Sequence, residues 1–238
     1  CLDSAGFVAA SRYGGFPWTI PDYVALAAAY PFRWWASADY CVEPEIARDR
    51  EEVVDRLSRT IRANRDCRRL AEDFGIADTM MPVIQGRRPD DYERCVDALW
   101  ASLRPGSPLG VGSMCRRDVH GPEGLIAVID HLDRILPSCV RLHAFGVKGA
   151  ALPFLLPYGR RIASIDSQAY GIDARRTAFR RGISKTDPIV ADHMEHWVSV
   201  QRTRLAARPL QLPQCQTQPP DRGPCDPWEA AIAQARAE

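Results

Sequence analysis

The sequence contains very little lysine, no closely spaced pair of cysteines and no long hydrophobic run. Lys148 and Lys185 are the only lysines among its 31 basic residues, so the other 29 are arginines. Its eight cysteines form no Cys-x-x-Cys pair, which argues against a disulfide scaffold. No apolar run approaches the roughly 18–20 residues that a membrane-spanning helix requires. These absences predict a cytoplasmic protein with reduced thiols that does not enter a membrane.

The remaining composition is that of an ordinary globular protein. Hydrophobic residues make up 46% and charged residues 26% of the 238 positions, and the formal net charge is only +1. A chain of this length suits one large domain. Arginine binds phosphate through paired hydrogen bonds and stacks on bases, so the arginine bias suits nucleic acid. A GC-rich genome that favours arginine codons explains the bias at least equally well.

Short apolar runs alternate with segments of helical periodicity along most of the chain. The expected strands are 32–39, 79–85, 108–114, 141–147 and 161–166. The expected helices are 45–74, 89–103, 121–136 and 148–158, followed by 173–181 and 187–204. This alternation predicts an α/β fold with a parallel sheet, of the TIM-type (β/α)8 barrel class, with a doubly wound open sheet as the alternative.

The position of the polar and glycine residues favours the barrel. Asp39, Gln85, the 110–112 turn, Gly146 and Asp166 all fall at or near the ends of expected strands. In a (β/α) barrel the carboxyl ends of different strands converge on one active site. We therefore expect these residues to meet in one place.

The expected barrel spans residues 1–205. Because Asp3 stands almost at the start of the chain, we expect the barrel to lack its N-terminal strand or strands, which leaves the activity of this chain open. Residues 206–238 are rich in proline and predict a tail, within which 227–237 are compatible with a short helix.

Two aspartates follow apolar residues at expected strand ends. Asp3 stands in Leu-Asp-Ser-Ala-Gly-Phe and Asp166 in Ile-Asp-Ser-Gln-Ala-Tyr. Either one alone is as compatible with capping a helix as with catalysis. The pair, together with glycine turns at equivalent strand ends, favours a site.

Five segments together resemble motifs of the tRNA-guanine transglycosylases. Residues 165–170 are similar to the Phe-Asp-Ser-Ala-Ser-Tyr motif of the archaeal enzymes, and residues 2–7 resemble Asp-Ser-Gly-Gly-Phe. Residues 83–86 are similar to Val-Gln-Gly, 109–112 to the Gly-Gly-Leu/Ile-Ala-Val-Gly region, and 143–147 to Leu-Gly-Val-Gly. The matches occur in the family's order.

The resemblance implies that Asp166 is the nucleophile and Asp3 the general acid/base. The chemistry is consistent with two carboxyl groups, because one traps the oxocarbenium-like sugar and the other transfers the proton between the two bases. Asp39 would accept from the N1–H and 2-amino groups of guanine, and Gln85 would donate to O6. Further expected base contacts are Gly86, Gly110, Gly112, Gly146, Phe7 and Tyr170.

The substrate is expected to be a nucleic acid and a free base. A base must leave the duplex to react, so protein partners that open DNA are a further expectation. Arginines near strand ends, namely Arg87, Arg116, Arg117, Arg175 and Arg176, are candidates for phosphate contacts, with surface ion pairs as the alternative.

The sequence departs from the tRNA enzymes in its metal ligands and its length. Their Cys-x-Cys-x-x-Cys zinc cluster is absent, and His193, His196, Cys215 and Cys225 would form an unusual zinc site, so no cofactor is expected. We also expect the protein to lack the C-terminal RNA-binding domains of the archaeal enzymes. The chain therefore most resembles the shorter paralogues that exchange guanine in DNA for a 7-deazaguanine such as 7-cyano-7-deazaguanine. A tRNA enzyme and an inactive base-binding barrel are the alternatives.

Overall fold

The structure, a computed structural model, describes residues 1–104, 106 and 108–206 and alternates short strands with helices. The strands are β1 (Trp35–Ala36), β2 (Met80–Met81), β3 (Val83–Ile84), β4 (Pro108–Val111), β5 (Arg141–Ala144) and β6 (Ile162–Ile165). The helices are α1 (Gly6–Tyr13), α2 (Ile20–Ala29), α3 (Arg50–Asp73), α4 (Pro89–Leu99), α5 (Leu125–Ile135), α6 (Leu152–Leu155), α7 (Ala169–Arg180) and α8 (Asp187–Ala206).

The strands are parallel and their spatial order follows the chain. Leu2 forms a bridge with Trp35, β1 pairs with β2, and β3 to β6 pair in sequence. β2 and β3 belong to one extended segment that Pro82 interrupts, since proline has no N–H to donate to a ladder. Strands in chain order separated by helices are the arrangement that a (β/α) barrel requires. The closed barrel itself stays a prediction.

Most of the apolar core lies between the sheet and the helices that cover it. The largest cluster joins β3, β4 and β5 to the inner faces of α4 and α5, with Tyr92 and Leu109 fully enclosed. A smaller cluster that includes Met81, Val83, Trp34 and Phe145 is separate from it. Helix–sheet packing of this kind fixes the strand ends, and therefore the loops that follow them.

Buried polar contacts hold the loop between β3 and α4. Asp91 forms two hydrogen bonds to Arg50, at 2.5 and 2.9 Å, and accepts from the backbone N–H groups of Arg87 and Arg88. A carboxylate in the first turn also suits the positive end of the helix dipole. The backbone just after Gln85 is thus rigidly placed.

The elements agree with the expected alternation, with three differences. The observed strands are shorter than the expected segments. No helix is expected before residue 45, yet α1 and α2 form there, and Gly14 ends α1 in the left-handed conformation at φ 72°. Helix α7 begins at Ala169, four residues before the expected segment 173–181. The expected tail, apart from Ala206 at the end of α8, lies outside the described residues, as does the expected helix at 227–237. Within the described ranges, no helix is both long enough and apolar enough to cross a membrane.

Candidate active site

Three aspartates and a glutamine meet at one cavity of about 410 Å³. Asp3 follows the strand position Leu2, Asp39 follows β1, Gln85 follows β3, and Asp166 follows β6, and all four line the cavity. Its volume is within the range of about 300–1,000 Å³ typical of small-molecule sites. The strand ends therefore bring together two potential reacting carboxyl groups and a set of polar groups that can bind a planar base.

A chain of hydrogen bonds orients Asp39 and Gln85. The Ser4 hydroxyl donates to Asp39 Oδ1 at 2.6 Å, and the Gln85 amide Nε2 donates to Asp39 Oδ2. The Ser113 hydroxyl donates to Gln85 Oε1 at 2.5 Å and accepts from the backbone N–H of Val42 at 2.7 Å. The amide therefore turns its nitrogen toward the carboxylate, which leaves its second N–H as a donor for a ligand.

Burial shifts the protonation of Asp39. Its carboxyl group is almost fully enclosed, and this desolvation raises its pKa to about 6, although the hydrogen bond from Ser4 lowers the pKa. Asp39 thus changes charge close to neutral pH. A ligand that donates two hydrogen bonds to the carboxylate would favour its ionised form.

Glycine is required where the Gln85 amide lies over the backbone. A Cβ at Gly112 would stand 2.0 Å from Gln85 Nε2, and a Cβ at Gly6 would stand 2.7 Å from the backbone oxygen of Asp39. Ala5 and Ser113, next to these glycines, both adopt left-handed backbone with φ of 56°. Left-handed backbone at non-glycine residues is costly and is concentrated at functional sites.

Asp166 is held at the cavity by backbone. Gly146, at φ 71°, donates its N–H to Asp166 Oδ1, and a Cβ there would stand 2.8 Å from that of Cys115. The second carboxylate oxygen, Oδ2, lies 3.8 Å from His143 Nε2. Asp166 remains half-exposed to the cavity, so a ligand can reach it.

The Asp3 carboxyl group is biased toward its protonated form. Surrounding protein desolvates it and the charge of Asp166 repels its negative form, and together they raise the pKa of Asp3. Two carboxyl groups in one cavity with different environments can act as acid and as nucleophile.

The sequence profile of one protein family, DpdA (DeoxyPurine in DNA protein A), matches residues 1–216. The chain belongs to the DpdA family. Membership indicates a transglycosylase-type enzyme with a role in deazapurine modification of DNA, and DNA as its substrate. It supports the resemblance to the DNA-modifying paralogues rather than to the tRNA enzymes. A comparison with curated proteins finds no match.

The other expected base contacts of this DpdA-family chain divide into two groups. Phe7, Gly112 and Gly146 line the cavity with the aspartates. Gly86 packs on Asp91 and Tyr92, Gly110 packs on Phe145 and Val83, and Tyr170 faces Trp197 with ring centroids 6.1 Å apart. These last three support neighbouring elements.

The expected arginines lie in three different environments. Arg117 is 2% exposed and its guanidinium donates to backbone carbonyls and to the Tyr92 hydroxyl, so it ties loops together. Arg87 pairs with Glu123 at 2.7 Å, and Arg116 pairs with Glu43 and Glu45. Arg175 and Arg176 are exposed on α7.

A zinc ion does not fit the residues that the structure describes. Across 1–104, 106 and 108–206, no three histidine, cysteine or acidic side chains are grouped for a metal. His193 and His196 lie on α8, and Cys215 and Cys225 fall outside these ranges.

Sequence reasoning missed Ser4, Ser113 and His143 as parts of the site. Ser4 and Ser113 each follow a residue singled out by its motif, but their partners are 35 and 28 residues away. His143 is part of a segment quoted for its glycine. Only the three-dimensional pairing of the strand ends shows the role of these side chains.

Replacing Asp39 with Asn should stabilise the ligand-free protein above pH 6. Folding raises the pKa of Asp39 to about 6 from 3.8, so the ionised form costs stability at higher pH, and this cost disappears as the pH falls through that interval. Asn can keep both hydrogen bonds, accepting from Gln85 and donating to Ser4. At pH 8 we expect the unfolding temperature of the variant to be higher by roughly 2–4 °C for each kcal/mol gained in the free energy of unfolding. At pH 4 we expect no increase in the unfolding temperature. Affinity for the base should fall.

The exposed Asp192 provides the matched control for this substitution. Thermal unfolding of Asp192→Asn should show the wild-type pH dependence. Equal destabilisation of Asp39→Asn at pH 4 and pH 8 would contradict the assignment of a costly buried charge.

Replacing Gly112 with Ala should damage base recognition. The new methyl group must displace the Gln85 amide and break its bond to Asp39. Because misplacing a positioning group by about 1 Å can cost about 100-fold in rate, we expect a loss of that order in kcat/KM for the incoming base. Gly15→Ala is the control, since its Cβ would meet no described atom within 4 Å. Unchanged kinetics for Gly112→Ala in a folded protein would contradict the role of Gln85.

Proposed function

We propose that this protein replaces guanine in DNA with a free 7-deazaguanine base of the 7-cyano-7-deazaguanine type. The observation that carries the proposal is that Asp3, Asp39 and Asp166 line a single cavity with Gln85. Family membership supports DNA as the substrate.

In the proposed first step, a carboxylate oxygen of Asp166 bonds to C1′ of the deoxyribose as the bond from C1′ to guanine N9 breaks. The bonding electron pair leaves with the base, and protonated Asp3 supplies the proton that neutralises it. In the second step, Asp3 accepts a proton from the incoming base, whose nitrogen attacks C1′ and releases Asp166. The raised pKa of Asp3 supports its role as the acid in the first step.

Asp39 and Gln85 would bind the base in both steps. Asp39 would use its remaining lone pairs to accept from the N1–H and 2-amino groups of the base, and the second N–H of Gln85 would donate to O6. Because guanine and 7-deazaguanine share this edge, one arrangement serves the leaving and the incoming base. Phe7, on the rim of the cavity, is the proposed stacking partner.

The proposed DNA contacts are centred on α7. This helix begins three residues after Asp166 and carries the exposed Arg175 and Arg176. Arg176 pairs with Asp173 at 3.5 Å, and Arg87 and Arg116 also pair with carboxylates, so these three arginines would contact phosphate only by exchanging those partners. Arg117 is not part of the proposed surface, because its donors are occupied. The target base must leave the duplex, so a DNA-opening partner is part of the proposal.

The test is nucleoside analysis of DNA and tRNA from cells that express the full-length protein and can make or take up the deazaguanine base. We expect deazaguanine in DNA from cells with the wild-type protein and none with Asp166→Ala. Deazaguanine in tRNA alone would refute the DNA substrate. Modified DNA in cells with the Asp166→Ala variant would refute the assigned nucleophile.

A further inference from the structure

His143 is a buried residue next to Asp166 for which the proposed mechanism so far has no role. It lies on β5 with its side chain only 5% exposed. Its Nε2 atom is buried and has no hydrogen-bond partner among residues 1–104, 106 and 108–206. Buried polar atoms in proteins are nearly always paired, so an exception calls for an explanation.

An irregularity in the sheet places the residue opposite His143. The pairing of β5 with β6 shifts by one residue between Leu142 and His143, so that Ser164 instead of Ala163 stands across from His143. The Ser164 hydroxyl lies 2.8 Å from His143 Nδ1. Bulges often lie beside active sites, where they redirect a side chain. Here the bulge gives Nδ1 a partner and leaves Nε2 as the free end of the ring.

The ring is fixed and its free nitrogen faces the nucleophile. Phe145 and Trp34 pack on it with centroid distances of 4.5 and 5.1 Å. Nε2 is 3.8 Å from Asp166 Oδ2, which is too far for a hydrogen bond, so the proposed contact requires the carboxylate to rotate toward the ring. When Ser164 donates to Nδ1, the ring proton is on Nε2 and points at Asp166.

We infer that His143 is a positioning residue whose Nε2–H donates to the Asp166 oxygen that is not bonded to the sugar. The inference rests on the proposed function, since it concerns the ester between Asp166 and C1′. The hydrogen bond from His143 would change the relative stability of the free Asp166 carboxylate and of this ester.

The direction of the effect follows from charge. A hydrogen bond to a carboxylate is stronger than one to an ester carbonyl, so the His143 contact stabilises Asp166 as a leaving group. As the incoming base attacks C1′, the bond from C1′ to the Asp166 oxygen breaks and its electron pair returns to the carboxylate. Loss of the donor should therefore slow resolution of the ester more than its formation, and the adduct should accumulate.

The experiment compares His143→Leu, His143→Gln and Ser164→Ala with the wild-type full-length protein. Each protein is mixed with a guanine-containing DNA oligonucleotide, and the DNA–protein adduct is measured on denaturing gels before and after addition of radiolabelled guanine. For His143→Leu we expect resolution to slow by about 10- to 100-fold, as for the loss of a hydrogen bond to a charged group, with a higher steady-state adduct. Glutamine should restore much of the rate because its amide can donate, and Ser164→Ala should shift both quantities in the same direction as leucine, by less.

A purely structural role predicts a different result. If His143 only supports the fold, formation and resolution should fall together, no adduct should accumulate, and glutamine should not rescue resolution. That outcome in His143→Leu overturns the inference. If the leucine variant does not fold, the same outcome in Ser164→Ala overturns it. In either case an adduct in the wild-type protein still supports the proposed function. A wild-type protein that forms no adduct, yet exchanges guanine in DNA, overturns the inference and the covalent step together. Absence of both adduct and exchange overturns the proposed function as well.

Discussion

Replacement of Asp166 with Ala is expected to abolish guanine exchange in DNA and the covalent DNA–protein adduct. The oxygen that forms the bond to C1′ is lost, and a rate reduction of at least about 10⁴-fold is typical for removal of a covalent nucleophile. Asp166→Asn should lose exchange equally, because an amide is a poor nucleophile. It should still bind the base, since the Gly146 N–H can donate to the amide oxygen as it does to Oδ1 and the Asp39 and Gln85 network is untouched.

The measurement combines incorporation of radiolabelled guanine into DNA with a separate binding assay for the free base. Asp73→Asn is a matched control, because Asp73 is an exposed carboxylate at the end of α3, and its exchange rate should match the wild type. Exchange at an unchanged rate in Asp166→Ala would show that another group, or water, attacks the sugar.

The sequence predicts the order of elements well because apolar periodicity is a local property. From residue 32 onward every observed strand and helix overlaps an expected segment, although α7 begins four residues before the expected 173–181 and α8 ends two residues after the expected 187–204. No helix is expected before residue 45, yet residues 6–13 form α1. Helix α2 nevertheless has a local signal in the sequence, since Thr19 and Asp22 form a capping box with Pro21 in the first turn. Short helices with apolar residues throughout show little amphipathic pattern and are easily missed.

Only the site residues that lie at the ends of strands could be predicted from the sequence. Asp3, Asp39, Gln85 and Asp166 meet because parallel strands finish at the same edge. The partners that orient them come from distant segments, and no spacing rule connects Ser113 with Gln85. The adjacent Arg116 and Arg117 are equivalent in sequence, yet one lies at the cavity paired with carboxylates and the other is buried. Which member of a doublet turns inward depends on the loop geometry after β4.

Replacement of Asp3 with Asn should slow guanine exchange by about 10²–10⁴-fold, the range for loss of a general acid/base. The raised pKa of Asp3 keeps more of it protonated than an ordinary aspartate at a given pH. In the wild type, the release of guanine should therefore fall as the pH rises through the pKa of Asp3, where the acid loses its proton. Asp3→Asn should lose this part of the pH profile, because the amide does not titrate.

A substrate whose base leaves without a proton distinguishes the acid from the nucleophile. The base of 7-methylguanine in DNA is already cationic, so it departs as a neutral molecule and needs no proton from Asp3. We expect Asp3→Asn to release 7-methylguanine at a rate much closer to that of the wild type than its rate on guanine, whereas Asp166→Ala should form no adduct on either substrate. An equal loss on both bases in a folded Asp3→Asn protein would mean that Asp3 acts by holding Asp166 or the neighbouring loop. The repulsion between these two carboxyl groups, by which the charge of Asp166 helps to raise the pKa of Asp3, would then have a structural consequence and no part in proton transfer.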